Sequence, residues 1–372
     1  MKVPFIELSQ STQRVKGKYI ERISGFLDRA NFILSPEVEQ FENEWAAYVG
    51  TEHCVGVSSG ADALYLALVS LGVGPGDEVI TQGTAYNASV TAILRVGAVP
   101  RFADVDPDTL TVAPALIEQL ITDKTKAIMP VHLYGQAADM ESIMSIAAKY
   151  NVVVVEDCAQ AHGAAYNGRR VGSWGDAGAF SFYPTKNLGA FGDAGAVTMS
   201  SVSVRDEIRA RRNLGQIAKN EHRYFGTNMR LDGLQAIALS LKLPYLSDEI
   251  RERQTLAEQY DKLIADAKLP LKPVSHLPGA THVYHLYVVQ SLSMQRAELC
   301  RRMAEQGIGT AVHYPVPIYS QPFYQGPADA CPVSDAVCVR ILSLPLYPGL
   351  TQSQQKHVVY ALSEIMKKYV TV

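Results

Sequence analysis

The sequence predicts an α/β protein, with a large, doubly wound, mainly parallel sheet domain followed by a small C-terminal α+β domain. Three observations carry that prediction. Between about residues 55 and 200, short β-branched runs alternate with longer helical patterns, the order that winds a parallel sheet. Several of these runs are apolar on both faces, as strands are when helices cover both sides of a sheet. Beyond His276 the rhythm changes to strand, helix, strand.

The chain has 372 residues, enough for two or three domains or for one large domain with an appendage. Its formal net charge of −3 excludes a polybasic nucleic-acid binder. Hydrophobic residues make up 47% and charged residues only 19%, against ~25% charged in ordinary soluble domains. That balance excludes disorder and implies either a large core or a buried subunit surface.

The elements follow in order. VGV at Val55, EVIT at Glu78, VPRFADV at Val99, AIMPVHLY at Ala127, VVVVED at Val152, AGAFSFY at Ala177 and AVTMS at Ala196 read as strands. Between them lie helical segments such as ADALYLALVSLG, whose Leu64, Leu68 and Leu71 recur on one helix face. Residues 200–265 show no strand pattern and end in SDEIRERQTLAEQYDKLI, where Ser247 is the expected N-cap. HLYVVQ at His285, MQRAELCRRMAEQG and GTAVHY at Gly309 form the expected strand, helix and strand of the second domain. The boundary is expected between 245 and 275, giving domains 1–250, with an N-terminal helical segment, and 251–372.

The five cysteines are odd in number and dispersed, with no C-x-x-C pair, so neither a disulfide framework nor a metal site is expected. MKVPFIELSQ lacks the charged and apolar regions of a secretory signal, and no apolar run approaches the ~18 residues of a membrane span. A soluble, cytoplasmic protein is the expectation.

Ligands of open α/β sheets bind beyond the carboxyl ends of the strands, so the residues at and just after each strand end are the candidates for chemistry. Ser58, Ser59, Gly60 and Ala61 follow one strand and open a helix, where small residues expose N–H groups to a phosphate. A tight turn with a Ser N-cap is the alternative. Glu156 and Asp157 end the apolar run VVVVED, where a buried carboxylate calls for a cation or for hydrogen-bond donors. A metal, a nicotinamide or a protonated pyridine would each supply the charge, and capping of the next helix is the plainer alternative. Lys186 follows the strand AGAFSFY directly, placed to lose its proton and attack a carbonyl.

The two other glycine patterns, GVGPGD from Gly72 and GAFGDAGA from Gly189, precede strands rather than follow them, so neither is a dinucleotide fingerprint. A phosphate turn, a carboxylate and a lysine on one sheet edge form the set that pyridoxal phosphate needs. Tyr86, just after EVIT, is placed to stack on its ring.

With these motifs, and with SSGADAL, PVHLYGQAADM, VVEDCAQAHGA, SFYPTKNLGAFGDAGAV, GTNMRLDGLQA and HYPVP, the chain resembles the sugar-nucleotide aminotransferases of pyridoxal-phosphate fold type I. It looks most like those that aminate C3 of a dTDP-linked 3-oxo-6-deoxyhexose with L-glutamate as amino donor. The resemblance implies that Lys186 bonds covalently to the cofactor and that Asp157 faces the pyridine nitrogen. It implies further that Gln160 meets the ring hydroxyl, that Tyr86 stacks on the ring, and that Ser59, Gly60, Ala61 and Ser181 hold the phosphate. Asn228, in the GTNMRLD motif, corresponds to a residue that relatives lend to the neighbouring subunit's site, which implies a homodimer with a shared active site. Tyr183, His313 and Tyr314 match positions that approach the sugar nucleotide, His313 having a packed strand-end histidine as its alternative.

The segment from Arg205 to Arg223 is basic, which suits a diphosphate, with Lys219 and Arg223 the expected contacts and Arg205 and Arg209 more in keeping with a solvated helix face. Three departures from the family pattern fall near the site: Ala194 for Gly, Cys158 for Ala and Ser35 for Gly. Rival readings are C4 amination, a UDP-2-acetamido-3-oxo-sugar substrate, a dehydratase with His in place of the lysine, an NAD-dependent sugar-nucleotide epimerase or dehydrogenase, and a pyridoxal-bearing regulator. Lys186 opposes the dehydratase, the absent fingerprint opposes the nicotinamide enzyme, and the missing basic extension opposes the regulator.

Overall fold

The computed structural model describes residues 1–370, with side chains through Lys367. Two helices, α1 (Ser9–Arg29) and α2 (Pro36–Val49), lead into β1 (His53–Val57) and α3 (Gly60–Ser70). Then follow β2 (Glu78–Gln82), α4 (Asn87–Arg95), β3 (Val99–Ala103), α5 (Pro114–Gln119), β4 (Thr125–Ile128), α6 (Met140–Tyr150) and β5 (Val153–Asp157). A small hairpin of β6 (Ala165–Tyr166) and β7 (Arg169–Arg170) precedes β8 (Ala177–Ser181), β9 (Gly195–Met199) and α7 (Val202–Arg211). A second hairpin, β10 (Gln216–Ala218) and β11 (Glu221–His222), leads to α8 (Gly233–Lys242) and α9 (Leu246–Asp266). The chain closes with β12 (Leu271–Pro273), β13 (Tyr287–Ser291), α10 (Arg296–Glu305), α11 (Pro332–Cys338), β14 (Ile341–Leu344) and α12 (Gln352–Val370).

Seven strands form the large sheet in the order β1-β9-β8-β5-β4-β2-β3, and they are the seven expected from the sequence. Side chains alternate between two cores, one on each face. Ile128, Val154 and Phe180 join Phe41 and Trp45 of α2, whereas Ala127, Val155 and Ala179 join Leu64, Leu66 and Leu68 of α3. Only β9 runs against the rest, pairing antiparallel with both β1 and β8. Its reversal follows from the connection: residues 182–194 contain no helix to carry the chain back across the sheet, so β9 folds directly against β8. The carboxyl ends of β1, β2, β5 and β8 therefore lie along one edge, next to the starts of α3 and α4.

A three-stranded antiparallel sheet, β12-β13-β14, packs with α9, α10 and α12 into a separate core that also takes in Val3. Helix α9 belongs to both cores, Leu246 and Ile250 packing into the large one, Leu256, Tyr260 and Ile264 into the small one.

Three expectations are corrected. Ser247 is no N-cap, because α9 already begins at Leu246 in near continuity with α8, and the residue at the cap position is Tyr245. The span 200–265 does hold a short hairpin, turned at Asn220 with φ of 64°, a conformation that Asn tolerates. GTAVHY forms no strand: Ala311 alone bridges Ser343, and the chain then bends so that His313 and Tyr314 enter the crevice described below. Among the described residues, no helix is long and apolar enough to cross a membrane.

Candidate active site

At the shared sheet edge a crevice of about 460 Å³ is lined by Gly60, Tyr86, Asp157, Gln160, Ser181 and Lys186, with Ser59, Ala61, Tyr183, His313 and Tyr314 completing the walls. Helix α3 begins at its floor. Ser59 is extended and its Oγ accepts the Asp62 N–H at 3.1 Å, the N-cap that was the alternative reading of this turn. A Cβ on Gly60 would lie 2.5 Å from the Ser181 Cβ, and one on Gly195 would lie 2.4 Å from the Ser59 carbonyl carbon and oxygen. Both glycines are therefore required for strand ends and helix start to meet this closely. The first N–H groups of a helix have no intrahelical acceptor, so those of Gly60 and Ala61 are available to an anion.

The two acids ending β5 point to opposite faces and do different work. Glu156 is fully buried and accepts N–H groups from Gly172, Trp174 and Gly175 at 2.7–2.8 Å, so it fixes the loop ahead of β8. Asp157 faces the crevice. Ser89 Oγ donates to Oδ2 at 2.8 Å and Ala159 N–H to Oδ1 at 3.1 Å. Burial pushes its carboxyl pKa up, and the two donors, Lys186 and His132 work against that shift. A carboxylate kept this dry, with hydrogen-bond donors but no side-chain cation bonded to it, is a seat for a cationic ring.

Lys186 sits in the SFYPTKN turn, its backbone N–H donating to Tyr183 O at 2.8 Å. Burial pulls its ammonium down to about 8, and attraction to Asp157 only partly offsets this. Burial likewise lowers His313 to about 4, with the Lys186 charge adding to the effect, and drives His285 well below its ordinary value. The lysine is thus surrounded by neutral imidazoles.

Gln160 is held on both sides of its amide: Oε1 accepts the Tyr134 N–H at 2.7 Å and Nε2 donates to the Tyr314 hydroxyl at 2.8 Å. The rings of Tyr86 and Tyr314 lie 5.7 Å apart at the mouth, and Tyr183 is exposed on the rim. His313 Nδ1 lies 2.9 Å from Ser343 Oγ, which ties it to β14.

Three expected site residues stand outside this crevice. Asn228 is exposed in a loop fastened to the end of β1 by the Ser58 N–H to Met229 O bond at 3.0 Å, and its Oδ1 accepts from Arg230 at 2.8 Å. Lys219 lies in the β10–β11 turn and Arg223 just after β11, where Arg223 borders a separate surface depression with Asp206, Arg209 and Arg212.

Most of the basic stretch is internally neutralised: Arg205 pairs with Asp206, Arg211 with Glu207, and Arg209 and Arg212 with buried Glu42. Among the described residues only Lys219 and Arg223 of that stretch form no ion pair, which separates them from the others as the charge pattern did. Of the departures, Ala194 lines the crevice without a left-handed backbone, so its methyl introduces no strain. Cys158 is enclosed in the core, and Ser35 stands ahead of α2 with its hydroxyl buried against Gly233.

Sequence reasoning missed Ser89, Thr185 and His285. Ser89 had a readable position, in the first turn after TAYN. His285 reads as a strand residue, and only long-range packing brings it to the crevice that holds the lysine. A buried cluster of His132, Glu156 and Cys158 has the makings of a metal site, but His132 already accepts the Ala138 N–H at 3.0 Å and meets Glu156 at 3.1 Å, and burial holds the Cys158 thiol protonated.

A buried acid, a lysine easily stripped of its proton and a turn with free N–H groups, all on one edge, fit pyridoxal phosphate, and the fold and site together define a transaminase of fold type I. The chain belongs to the DegT/DnrJ/EryC1/StrS aminotransferase family, whose profile its residues 13–363 match. It is 43% identical over 366 residues to dTDP-3-amino-3,6-dideoxy-alpha-D-galactopyranose transaminase of Aneurinibacillus thermoaerophilus, covering 97% of this chain and 99% of the relative. It superposes on the crystal structure of Streptomyces venezuelae DesV in complex with a ketimine intermediate, with a TM-score of 0.94, 40% identity and 98% of each chain covered. NtdA from Bacillus subtilis, solved with bound cofactor PMP, gives a TM-score of 0.90 at 31% identity, covering 98% of this chain and 85% of NtdA.

Proposed function

We propose that this protein transfers the amino group of L-glutamate to C3 of a dTDP-linked 3-oxo-6-deoxyhexose, using pyridoxal phosphate held in the crevice. The observation that carries the reading is Lys186, brought down to about 8 and sharing its crevice with buried Asp157. The nucleotide and the C3 position rest on the names of two relatives, the 43% identical dTDP-3-amino-3,6-dideoxy-alpha-D-galactopyranose transaminase and a 41% identical dTDP-3-amino-3,4,6-trideoxy-alpha-D-glucose transaminase of Streptomyces venezuelae.

When bound, pyridoxal phosphate supplies an aldehyde that carries the amino group and a cationic ring that spreads the charge left on a deprotonated α-carbon. The chain's residues do the rest. Gly60 and Ala61 N–H groups, Ser59 and Ser181 anchor the phosphate at the start of α3. Asp157, oriented by Ser89, holds a proton on the ring nitrogen. Gln160 presents its amide to the ring hydroxyl, and Tyr86 covers the ring face. Lys186 Nζ, half deprotonated near pH 8, would take the proton from the donor's α-carbon and deliver it to the carbon of the cofactor's aldehyde. Tyr183, His313 and Tyr314 at the mouth receive the sugar.

The site is completed in a homodimer: Asn228, Lys219 and Arg223 lie outside their own crevice and reach the partner's phosphate and diphosphate. Leu214, tied to the Asn228 loop by its N–H to Thr227 O bond, and Phe225 in that loop are both exposed apolar side chains, which supports a buried subunit face. The five free cysteines support a reducing compartment, and we assign the cytoplasm.

The test runs the reaction backwards, offering 2-oxoglutarate with a panel of dTDP- and UDP-linked 3-amino and 4-amino sugars and reading products by mass spectrometry. Turnover of dTDP-linked 3-amino sugars is expected. Turnover of 4-amino or UDP-linked compounds alone would overturn the substrate assignment.

A further inference from the structure

Behind the crevice lies a second, smaller cavity of about 190 Å³. Thr185, His285 and His313 line both spaces, so the cavity abuts the crevice next to Lys186. Its other walls are largely apolar, with Phe5, Ile6 and Leu286 among them, and one charged side chain reaches it: Arg253 of α9.

Arg253 is only 7% exposed, and no carboxylate among the described residues pairs with it. Glu249 and Glu252 of α9 attract it at longer range, but both are bonded elsewhere, Glu249 to Arg14 at 3.2 Å and Glu252 to the Gly349 N–H at 2.6 Å. Its Nη1 donates to Tyr284 O at 3.2 Å and to Leu346 O at 3.1 Å, which uses both protons of that nitrogen. Nε and Nη2 are left with three N–H groups and no acceptor among the described residues. A buried guanidinium without an anion is costly unless a ligand supplies one, and a planar fork of free N–H groups matches a carboxylate.

The neighbouring imidazoles bring no competing charge. Asn187 Nδ2 donates to Val283 O at 2.9 Å, which turns its Oδ1 towards His285 Nδ1 at 3.3 Å. His285 is therefore a hydrogen-bonded neutral wall rather than a second cation. The volume equals about six waters at ~30 Å³ each, room for a short methylene chain ending in a carboxylate.

We propose that this cavity is a carboxylate subsite in which Arg253 takes the distal carboxylate of the amino donor, making the enzyme selective for a dicarboxylic amino acid. The inference rests on the aminotransferase reading, because it places the donor's α-carbon at Lys186 and its side chain past Thr185. It adds to that reading a residue, far away in sequence, that decides which donor is accepted.

The experiment uses holoenzyme and two probes, glutarate and valerate, which share a five-carbon length and differ in one carboxylate. Isothermal titration of wild type is expected to show glutarate bound more tightly by about tenfold or more, the worth of a charged hydrogen bond. Arg253→Met removes that preference. In single-turnover donor half-reactions, the same variant raises KM for glutamate by a similar factor with little change in kcat, and leaves KM for alanine within about twofold.

Arg253→Gln, which keeps a donor for the two carbonyls but no charge, carries the test if the Met variant does not fold. Equal binding of the two probes to wild type would overturn the proposal. So would undiminished glutarate preference in a folded variant, or an equal loss for glutamate and alanine. The titration needs no keto-sugar, so a failure of the sugar assignment is seen separately from a failure of the subsite.

Discussion

The crevice holds Lys186 at a measurable cost to the fold, and replacing it with an uncharged residue of similar length exposes that cost. Its ammonium ordinarily titrates at 10.5 and here at about 8. At ~1.4 kcal/mol per pH unit the difference is worth about 3 kcal/mol. Because the crevice is open to water at its mouth, about 1–3 kcal/mol is expected to be realised. A folded-state value below the unfolded one means that the native protein binds fewer protons between pH 8 and 10.5, so wild-type stability rises through that window.

Cofactor-free Lys186→Met should therefore be more stable than cofactor-free wild type by about 1–3 kcal/mol at pH 7. For a chain of this size, with ~2.1 cal/mol/K of unfolding entropy per residue, that is a rise of about 1–4 °C in Tm. Paired urea and thermal melts at pH 7 and pH 10.5 measure it, and the gap should shrink towards zero at the higher pH. A variant no more stable than wild type at pH 7, or a gap that persists unchanged at pH 10.5, would refute the claim that burial lowers the lysine's pKa.

Asp157→Asn keeps the size and the Ser89 contact but removes the charge facing the ring, and the donor half-reaction should slow by about 10²–10³, followed by cofactor absorbance in stopped flow. A loss under about fivefold would exclude Asp157 from that role. Gly195→Ala drives a methyl to 2.4 Å from the Ser59 backbone, which cannot swing aside, so fluorescence titration should show pyridoxal phosphate bound about tenfold more weakly, with ~1–3 kcal/mol lost from the fold. Unchanged affinity would remove this turn from the phosphate site. Subunits of Lys186→Ala and Asn228→Ala, each impaired alone, should regain activity when mixed and exchanged, since one site of each heterodimer is then intact. Exchange without recovery would rule out sharing of the site through Asn228.

The parts of the fold legible in the sequence are those governed by local pattern. All seven large-sheet strands were readable because burial on both faces leaves unbroken apolar runs such as VVVV before Glu156. The reversal of β9 was not, since direction depends on the helix-free link at 182–194 and leaves no mark on the strand itself. GTAVHY reads as a strand, but its neighbours in space allow it one bridge, at Ala311, and turn His313 inward instead.

The site divides along the same line. Asp157 ends a strand and Gly60 and Lys186 lie a few residues past strand ends, so sheet topology alone gathers them. Arg253 comes from α9 and His285 from just ahead of β13, and nothing local marks either. The basic stretch misled in part for a related reason: a charge count cannot see that Glu42, 170 residues before Arg212, already neutralises it.

The central claim is that Lys186 is the residue that bonds to the cofactor. Borohydride reduction of purified holoenzyme, followed by digestion and mass spectrometry, tests it most directly. The account predicts a phosphopyridoxyl group on the peptide containing Lys186, and no labelling of Lys186→Ala, which also loses both half-reactions. A label on another lysine, or an active Lys186→Ala enzyme, would contradict it.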